Sequence, residues 1–258
     1  VVATAIGLAL GAIGLLAGLA GALAGGLEVG DTSGVPSAVL WAMDGTIVDT
    51  EPYWMRAEVD LVTSHGGVWT EADGMQLVGS GLVQSARILQ QAGVDLPVES
   101  IIDALTDRVM AQIEKEVPWR PGARELIEHL RDAGIPIALV TMSIRRMALQ
   151  VAAAIGDDVF DIVVAGDDVA NPKPHPEPYL RAAELLGVDI ADCVALEDSQ
   201  FGLVSAVSSG AATIGIPLHL TLHEGPTHEL WPSLAGRGVD DLSAALARHQ
   251  HRATGVES

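Results

Sequence analysis

Four short clusters in this chain carry acids, hydroxyls or a lysine: Asp44-Gly45-Thr46, Thr141-Met142-Ser143, Asn171-Pro172-Lys173-Pro174 and Glu197-Asp198-Ser199. Carboxylates that crowd together need a cation, and oxygen-only ligands suit magnesium. A hydroxyl and a lysine beside that metal suit the equatorial oxygens of a phosphoryl group. Taken together, the clusters point to metal-assisted phosphoryl chemistry. Taken singly, each also reads as structure. Asp44-Gly45-Thr46 is a tight turn with a helix cap, Thr141 a cap for the helix after it, and Lys173 a solvated residue on a stiff proline-rich loop. Glu197-Asp198-Ser199 is an N-cap cluster favoured by the helix dipole.

Each cluster follows an apolar run of strand character. The runs are residues 37–41, 135–140, 162–165 and 193–196, with a fifth at 212–216. Helical patterns fill the intervals at about 122–133, 144–155, 176–187 and 202–209. Continuous apolar strands separated by helices predict an α/β fold, a doubly wound parallel sheet covered on both faces. In such sheets ligands bind beyond the carboxyl ends of the strands, where the four clusters fall. Residues 52–118 carry helical patterns at 51–64, 71–89 and 101–116 and no convincing strand. They predict a helical insert that covers the sheet edge like a lid. The expected organisation is a leader and linker at 1–34, a core at 35–52 and 119–250, a helical cap at 53–118 and a tail at 251–258.

The 258 residues hold 14 Lys plus Arg against 34 Asp plus Glu, a formal charge of −20. That charge repels phosphate backbones and argues against nucleic-acid binding. An anionic substrate needs local cations or a metal against such a background. The one cysteine, Cys193, excludes a disulfide framework and a cysteine-based zinc site. A disulfide-free chain suits a reducing cytosol. Residues 1–27 carry no charge and are long enough, at about 1.5 Å per residue, to span a bilayer. A membrane anchor or an exported leader is therefore the alternative location. Against it, no Lys or Arg precedes the run.

The residues also match a family. Residues 38–52, Ala-Val-Leu-Trp-Ala-Met-Asp-Gly-Thr-Ile-Val-Asp-Thr-Glu-Pro, resemble the first motif of haloacid-dehalogenase-like phosphohydrolases. Leu-Val-Thr141-Met-Ser is similar to the second motif, Lys173-Pro-His-Pro-Glu-Pro-Tyr-Leu to the third, and Ala-Leu-Glu197-Asp198-Ser-Gln-Phe-Gly202 to the fourth. The insert resembles the helical cap of the β-phosphoglucomutase and phosphoglycolate-phosphatase branch. The resemblance implies a doubly wound core, one Mg²⁺ and an aspartyl-phosphate intermediate. It implies that Asp44 is the general acid/base and, through its carbonyl, a metal ligand. Asp198 would be a direct metal ligand and Glu197 an outer or water-mediated one. Thr141 would bond the phosphoryl group, and Lys173 would neutralise charge and hold the nucleophile's carboxylate. Gly45, Thr46, Ser143, Gly79 and Arg145 are expected to help bind phosphate or substrate.

One position departs from the pattern. Where the family carries its nucleophilic aspartate, this chain carries Ala42. A methyl group cannot attack phosphorus, and its presence deletes an anionic metal ligand. The expected function is a magnesium-dependent phosphatase of a small phosphorylated metabolite, impaired at Ala42. The alternatives are a sugar-phosphate mutase of the β-phosphoglucomutase type and a non-catalytic phospho-ligand-binding or membrane-tethered protein. Gly79-Ser80-Gly81 reads as a loop able to reach the site, and Arg56, Arg87, Arg145 and Arg146 as cations available to a second anionic group or as solvated helix residues. Trp54 and Trp119 read as hinge packing, His175 as structural, and Cys193 as a buried strand residue. The sequence leaves the oligomeric state open.

Overall fold

The computed structural model describes residues 34–77 and 81–254. Six strands, β1 (Ala38–Trp41), β2 (Ile137–Val140), β3 (Ile162–Val164), β4 (Cys193–Glu197), β5 (Ala212–Gly215) and β6 (His228–Leu230), form one sheet in the order β3-β2-β1-β4-β5-β6. Every pairing is parallel. The chain winds outward from β1 through β2 to β3, then crosses to β4 on the other side of β1. The crevice between the carboxyl ends of β1 and β4 is thus the switch point at which such sheets bind ligands.

Alternation along the strands divides the core in two. Val39 and Trp41 of β1, Ile137 and Leu139 of β2, and Val194 and Leu196 of β4 face one side. There they meet α5 (Ala123–Asp132), α6 (Arg145–Ile155) and α9 (Val239–Ala253). The intervening residues, Ala38, Leu40, Ala138, Val140, Cys193 and Ala195, face α7 (Glu177–Leu186) and α8 (Gln200–Ser209). This second face is rich in alanine, which allows the helices to approach the sheet closely. Both faces are buried, which is why the strands read as unbroken apolar runs.

Between β1 and β2 lie α1 (Glu51–Ser64), α2 (Glu71–Met75), α3 (Leu82–Gln91) and α4 (Val98–Ile113), the expected helical insert. The single helix expected over 71–89 is instead two. Thr70 and Asp73 make a reciprocal capping box that starts α2, and α2 ends after one turn. The strand β6 was not expected, because His228-Glu229-Leu230 is short and polar, as an edge strand can be.

The expected location is corrected. Among the described residues no helix is long and apolar enough to cross a membrane. The segment 1–27, on which the anchored or exported alternative rested, lies outside them, as does Gly79.

Candidate active site

The end of β1 delivers position 42 to the switch point. Trp41 pairs with Leu196, and the Ala42 amide donates to the Leu196 carbonyl at 3.0 Å, so Ala42 stands beside Glu197. Ala42 also continues the alternation of Ala38 and Leu40, and Glu197 that of Cys193 and Ala195. Both therefore belong to the face where Tyr179 of α7 packs. Ala42 is 4% exposed.

The chain then turns tightly. Gly45 has φ of +77°, in the left-handed region that glycine adopts without strain. A Cβ there would collide with the Asp198 carboxylate, so glycine is required twice over. Asp44 accepts from the Thr50 hydroxyl at 2.5 Å and from the Ser143 hydroxyl at 2.8 Å. Burial pushes its pKa above the usual carboxylate range, while these two hydrogen bonds pull it back. Ser143 is positioned in turn, since its amide donates to Thr141 Oγ1 at 3.1 Å. Thr141 is buried at the end of β2, and its amide donates to Val164 of β3.

On the far side of position 42, Lys173 Nζ donates to Glu197 Oε1 at 2.6 Å, to the Val140 carbonyl at 2.9 Å and to Tyr179 Oη at 3.2 Å. The Tyr179 hydroxyl donates to the same Glu197 oxygen. Burial, and then the Glu197 charge, push the Tyr179 pKa well above its ordinary value, so the phenol stays a donor. The other Glu197 oxygen accepts from the Asp198 amide and the Ser199 hydroxyl. With both oxygens engaged and only 1% of its side chain exposed, Glu197 is not placed to be a direct metal ligand.

Asp198 differs. Its carboxylate accepts from the Thr46 hydroxyl at 3.2 Å. Burial, and then the charge of Glu197, push its pKa up to about 7, against the pull of Lys173 and Thr46. Asp44 adds to the same crowding. A cation between Asp198 and the Asp44 turn would relieve that repulsion, and the oxygen-only donors fit magnesium. Among the described residues no group of three or more His, Cys, Asp or Glu side chains is arranged to hold a metal.

Asp44, Gly45, Thr46, Thr141, Ser143, Lys173, Glu197 and Asp198 thus surround position 42. Arg145 is not brought among them. Its guanidinium pairs with Asp168 at 2.5 Å and its amide donates to Asp167, because it opens α6 on the side of β3. Arg146 pairs with Asp107 and Asp103 of α4, and Arg56 donates to Gln112 at 2.6 Å. Trp54 and Trp119 pack against the core. His175 Nδ1 accepts from the Glu177 amide at 3.2 Å, and its carbonyl accepts from Ser205. Cys193 is buried, with its thiol pushed up to about 12.

Sequence reasoning missed two buried groups. One is Tyr179, six residues beyond Lys173. The other is Arg120, whose guanidinium donates to the Gly45 carbonyl at 2.5 Å and the Pro217 carbonyl at 3.3 Å. Burial lowers the Arg120 pKa, while the charges of Asp198 and Asp49 oppose the shift. Arg120 sits in a turn with no apolar periodicity, so no pattern flagged it.

The family described as Haloacid dehalogenase-like hydrolase matches residues 39–216. Protein CbbY of Cereibacter sphaeroides is 34% identical over 227 residues, 81% of this chain and 99% of that protein. A phosphorylated carbohydrates phosphatase of Thermotoga maritima is 32% identical over 73% of this chain and 88% of its own length. A crystal structure of CbbY from Rhodobacter sphaeroides in complex with phosphate superposes with a TM-score of 0.72 at 30% identity, covering 80% of this chain and 99% of that one. A variant of that protein was crystallised with xylulose-(1,5)bisphosphate and superposes with a TM-score of 0.71, also at 30% identity and the same coverage. The chain described here belongs to the haloacid dehalogenase-like hydrolases.

Proposed function

We propose that this chain is built as a magnesium-dependent phosphohydrolase of a small phosphorylated metabolite, and that as it stands it binds such an ester with little turnover. The observation that carries the reading is the assembly of Asp44, Thr141, Ser143, Lys173 and Asp198 around position 42, where only a methyl group stands. Two similar proteins are named for, or crystallised with, phosphorylated carbohydrates, which supports a sugar-type ester. The core would comprise 35–52 and 119–250 and the cap 53–118, with 1–34 and 251–258 outside both.

Thr141 and Ser143 would hold phosphoryl oxygens by donating their hydroxyl protons. Lys173 would hold a carboxylate at position 42, beside Glu197. Mg²⁺ on the Asp198 carboxylate and the Asp44 carbonyl would supply countercharge to the phosphoryl group. Burial raises the Asp44 pKa, which keeps a proton available for a departing alkoxide. With a carboxylate at position 42, the bond formed is oxygen to phosphorus and the bond broken is the ester's. Asp44 would protonate the leaving oxygen and then take a proton from a water whose oxygen bonds to phosphorus as the carboxylate–phosphorus bond breaks, freeing phosphate and the carboxylate. With Ala42 there is no such first bond, and the loss corresponds to about 10⁴- to 10⁶-fold in turnover.

The Ala42→Asp variant, assayed with Mg²⁺ on a panel of sugar and polyol phosphates, should gain at least about 10⁴-fold in hydrolysis. No gain, with phosphate-ester binding retained, would instead support a non-catalytic phospho-ligand-binding protein, the reading that Ala42 itself favours. The mutase alternative needs cations at both ends of the pocket; Arg56, Arg145 and Arg146 have partners, whereas Arg87 is exposed.

A further inference from the structure

The chain passes between core and insert twice, and the two passages are paired. Val48 and Trp119 form an antiparallel bridge. The Asp49 amide donates to the Pro118 carbonyl and the Arg120 amide to the Ile47 carbonyl, both at 2.8 Å. The first passage is also tied back to the turn after β1, where the Gly45 amide donates to the Val48 carbonyl at 2.8 Å. Arg120 is thereby set down beside the turn that carries Asp44, although 75 residues separate it from Gly45.

The base of Arg120 is firm. Two residues on, Gly122 has φ of +83°, and a Cβ there would stand 2.2 Å from the Leu234 backbone, so the start of α5 is seated directly on that chain. The Arg120 guanidinium then bridges two backbone oxygens, the Gly45 carbonyl at 2.5 Å and the Pro217 carbonyl at 3.3 Å. Among the described residues no other group donates to either carbonyl. The Arg120 Nε has no partner among them, so the two terminal nitrogens make the whole contact. Pro217 follows Ile216, whose amide donates to the Glu197 carbonyl at 2.6 Å. In the sheet β4 lies between β1 and β5. One guanidinium thus links the turn after β1 to the end of β5, across the end of β4, where Asp198 follows.

The linked turn is the crowded one. Gly45 packs on the Asp198 carboxylate so closely that no Cβ fits, and the Thr46 hydroxyl donates to the same carboxylate at 3.2 Å. The Gly45 carbonyl belongs to the peptide unit between Gly45 and Thr46. Holding it sets the Thr46 hydroxyl on one side and Asp44 on the other. Arg120 is 6% exposed and its bonded nitrogens are taken by backbone, so it acts through the turn and not on a substrate.

We propose that Arg120 is a positioning residue of this site, whose guanidinium fixes the Asp44–Thr46 turn against Asp198 by bridging the Gly45 and Pro217 carbonyls. The proposal rests on the phosphohydrolase reading and deepens it, by assigning what holds the proton-transferring acid in place.

Amide hydrogen exchange of the parent chain reads the turn without any turnover. In Arg120→Met, protection at Gly45 and Thr46 should fall at least about tenfold, to a level below that of Val39 and Thr141, whose strand-end bonds report opening of the whole sheet. Kinetics read the consequence. In the Ala42→Asp background with Mg²⁺, Arg120→Met should lower kcat about 100-fold and leave KM within about threefold, because a displaced acid costs rate and not binding. Arg120→Lys keeps the charge but cannot span both carbonyls, and should fall between the two. If Arg120→Met does not fold, Arg120→Lys takes its place, with the same pattern of protection and kcat lowered at least about tenfold. Protection unchanged at Gly45, or lost only to the level of Val39 and Thr141, overturns the proposal. So does a kcat that is kept, with or without a rise in KM. If Ala42→Asp itself does not turn over, the phosphohydrolase reading fails, and exchange in the parent decides by itself whether Arg120 holds the turn.

Discussion

Lys173 shows how one residue can serve both fold and site. Its ammonium is nearly buried, and its partners are an anion, a phenol and a carbonyl. Removing one member of a buried pair strands the other charge, which costs about 3–5 kcal/mol. Lys173→Met should therefore destabilise the protein by about that amount in denaturant unfolding. Tyr179→Phe removes one hydrogen bond to a charged group and should cost about 1.5–3 kcal/mol. A Lys173→Met cost below about 1 kcal/mol would show that Glu197 finds water or a proton instead. Lys173 was legible in the sequence because it sits in a motif with acids and hydroxyls in step. Tyr179 was not, because nothing in an apolar helix face marks which aromatic donates to a buried acid 18 residues further along the chain.

Among the elements, the strands of the core were legible because both sheet faces are buried, so each run is continuous. The helices α2 and α3 were not separable, because their join is governed by a local capping box and not by periodicity. The Glu58–Trp69 contact, in which the indole donates to the carboxylate at 3.1 Å, was likewise invisible, since a glutamate on a helix reads as solvated until its neighbours are placed. That contact has a stability consequence. Burial pushes the Glu58 pKa up from 4.5 to about 7, against the Trp69 hydrogen bond. At low pH Glu58 is protonated whether folded or unfolded and costs nothing. Between the two pKa values the folded chain binds its proton more tightly, so stability falls as pH rises, and the deficit is constant above about 7. Glu58→Gln cannot titrate. It should match the parent in urea unfolding at pH 4 and exceed it at pH 8 by up to about 3 kcal/mol. Equal stability of the two proteins at pH 8 would mean that the carboxylate is not held in a dry environment.

At the scale of the whole molecule, a charge of −20 surrounds a site meant for an anion. Nearby, Lys173 is neutralised by Glu197, and the Arg120 cation is buried against two carbonyls. Asp44 and Asp198 remain as acids, so the residues of the site alone hold no surplus of positive charge. The long-range field therefore opposes the arrival of a phosphate ester, and only the closest contacts reward it. Salt separates the two effects. Its screening length is about 10 Å at 0.1 M, so it removes the field of distant acids while leaving contacts inside the crevice largely intact. Association of a sugar monophosphate with the Mg²⁺-loaded chain should accordingly speed up several-fold as ionic strength rises from about 0.01 to 0.15 M, with dissociation little changed. Stopped-flow tryptophan fluorescence can follow it, because Trp41 precedes Ala42 and Trp54 lies in α1. An association rate that falls with salt would mean that the crevice mouth presents net positive potential despite the charge of the chain. The cations responsible would then have to be sought among side chains not assigned here to the site.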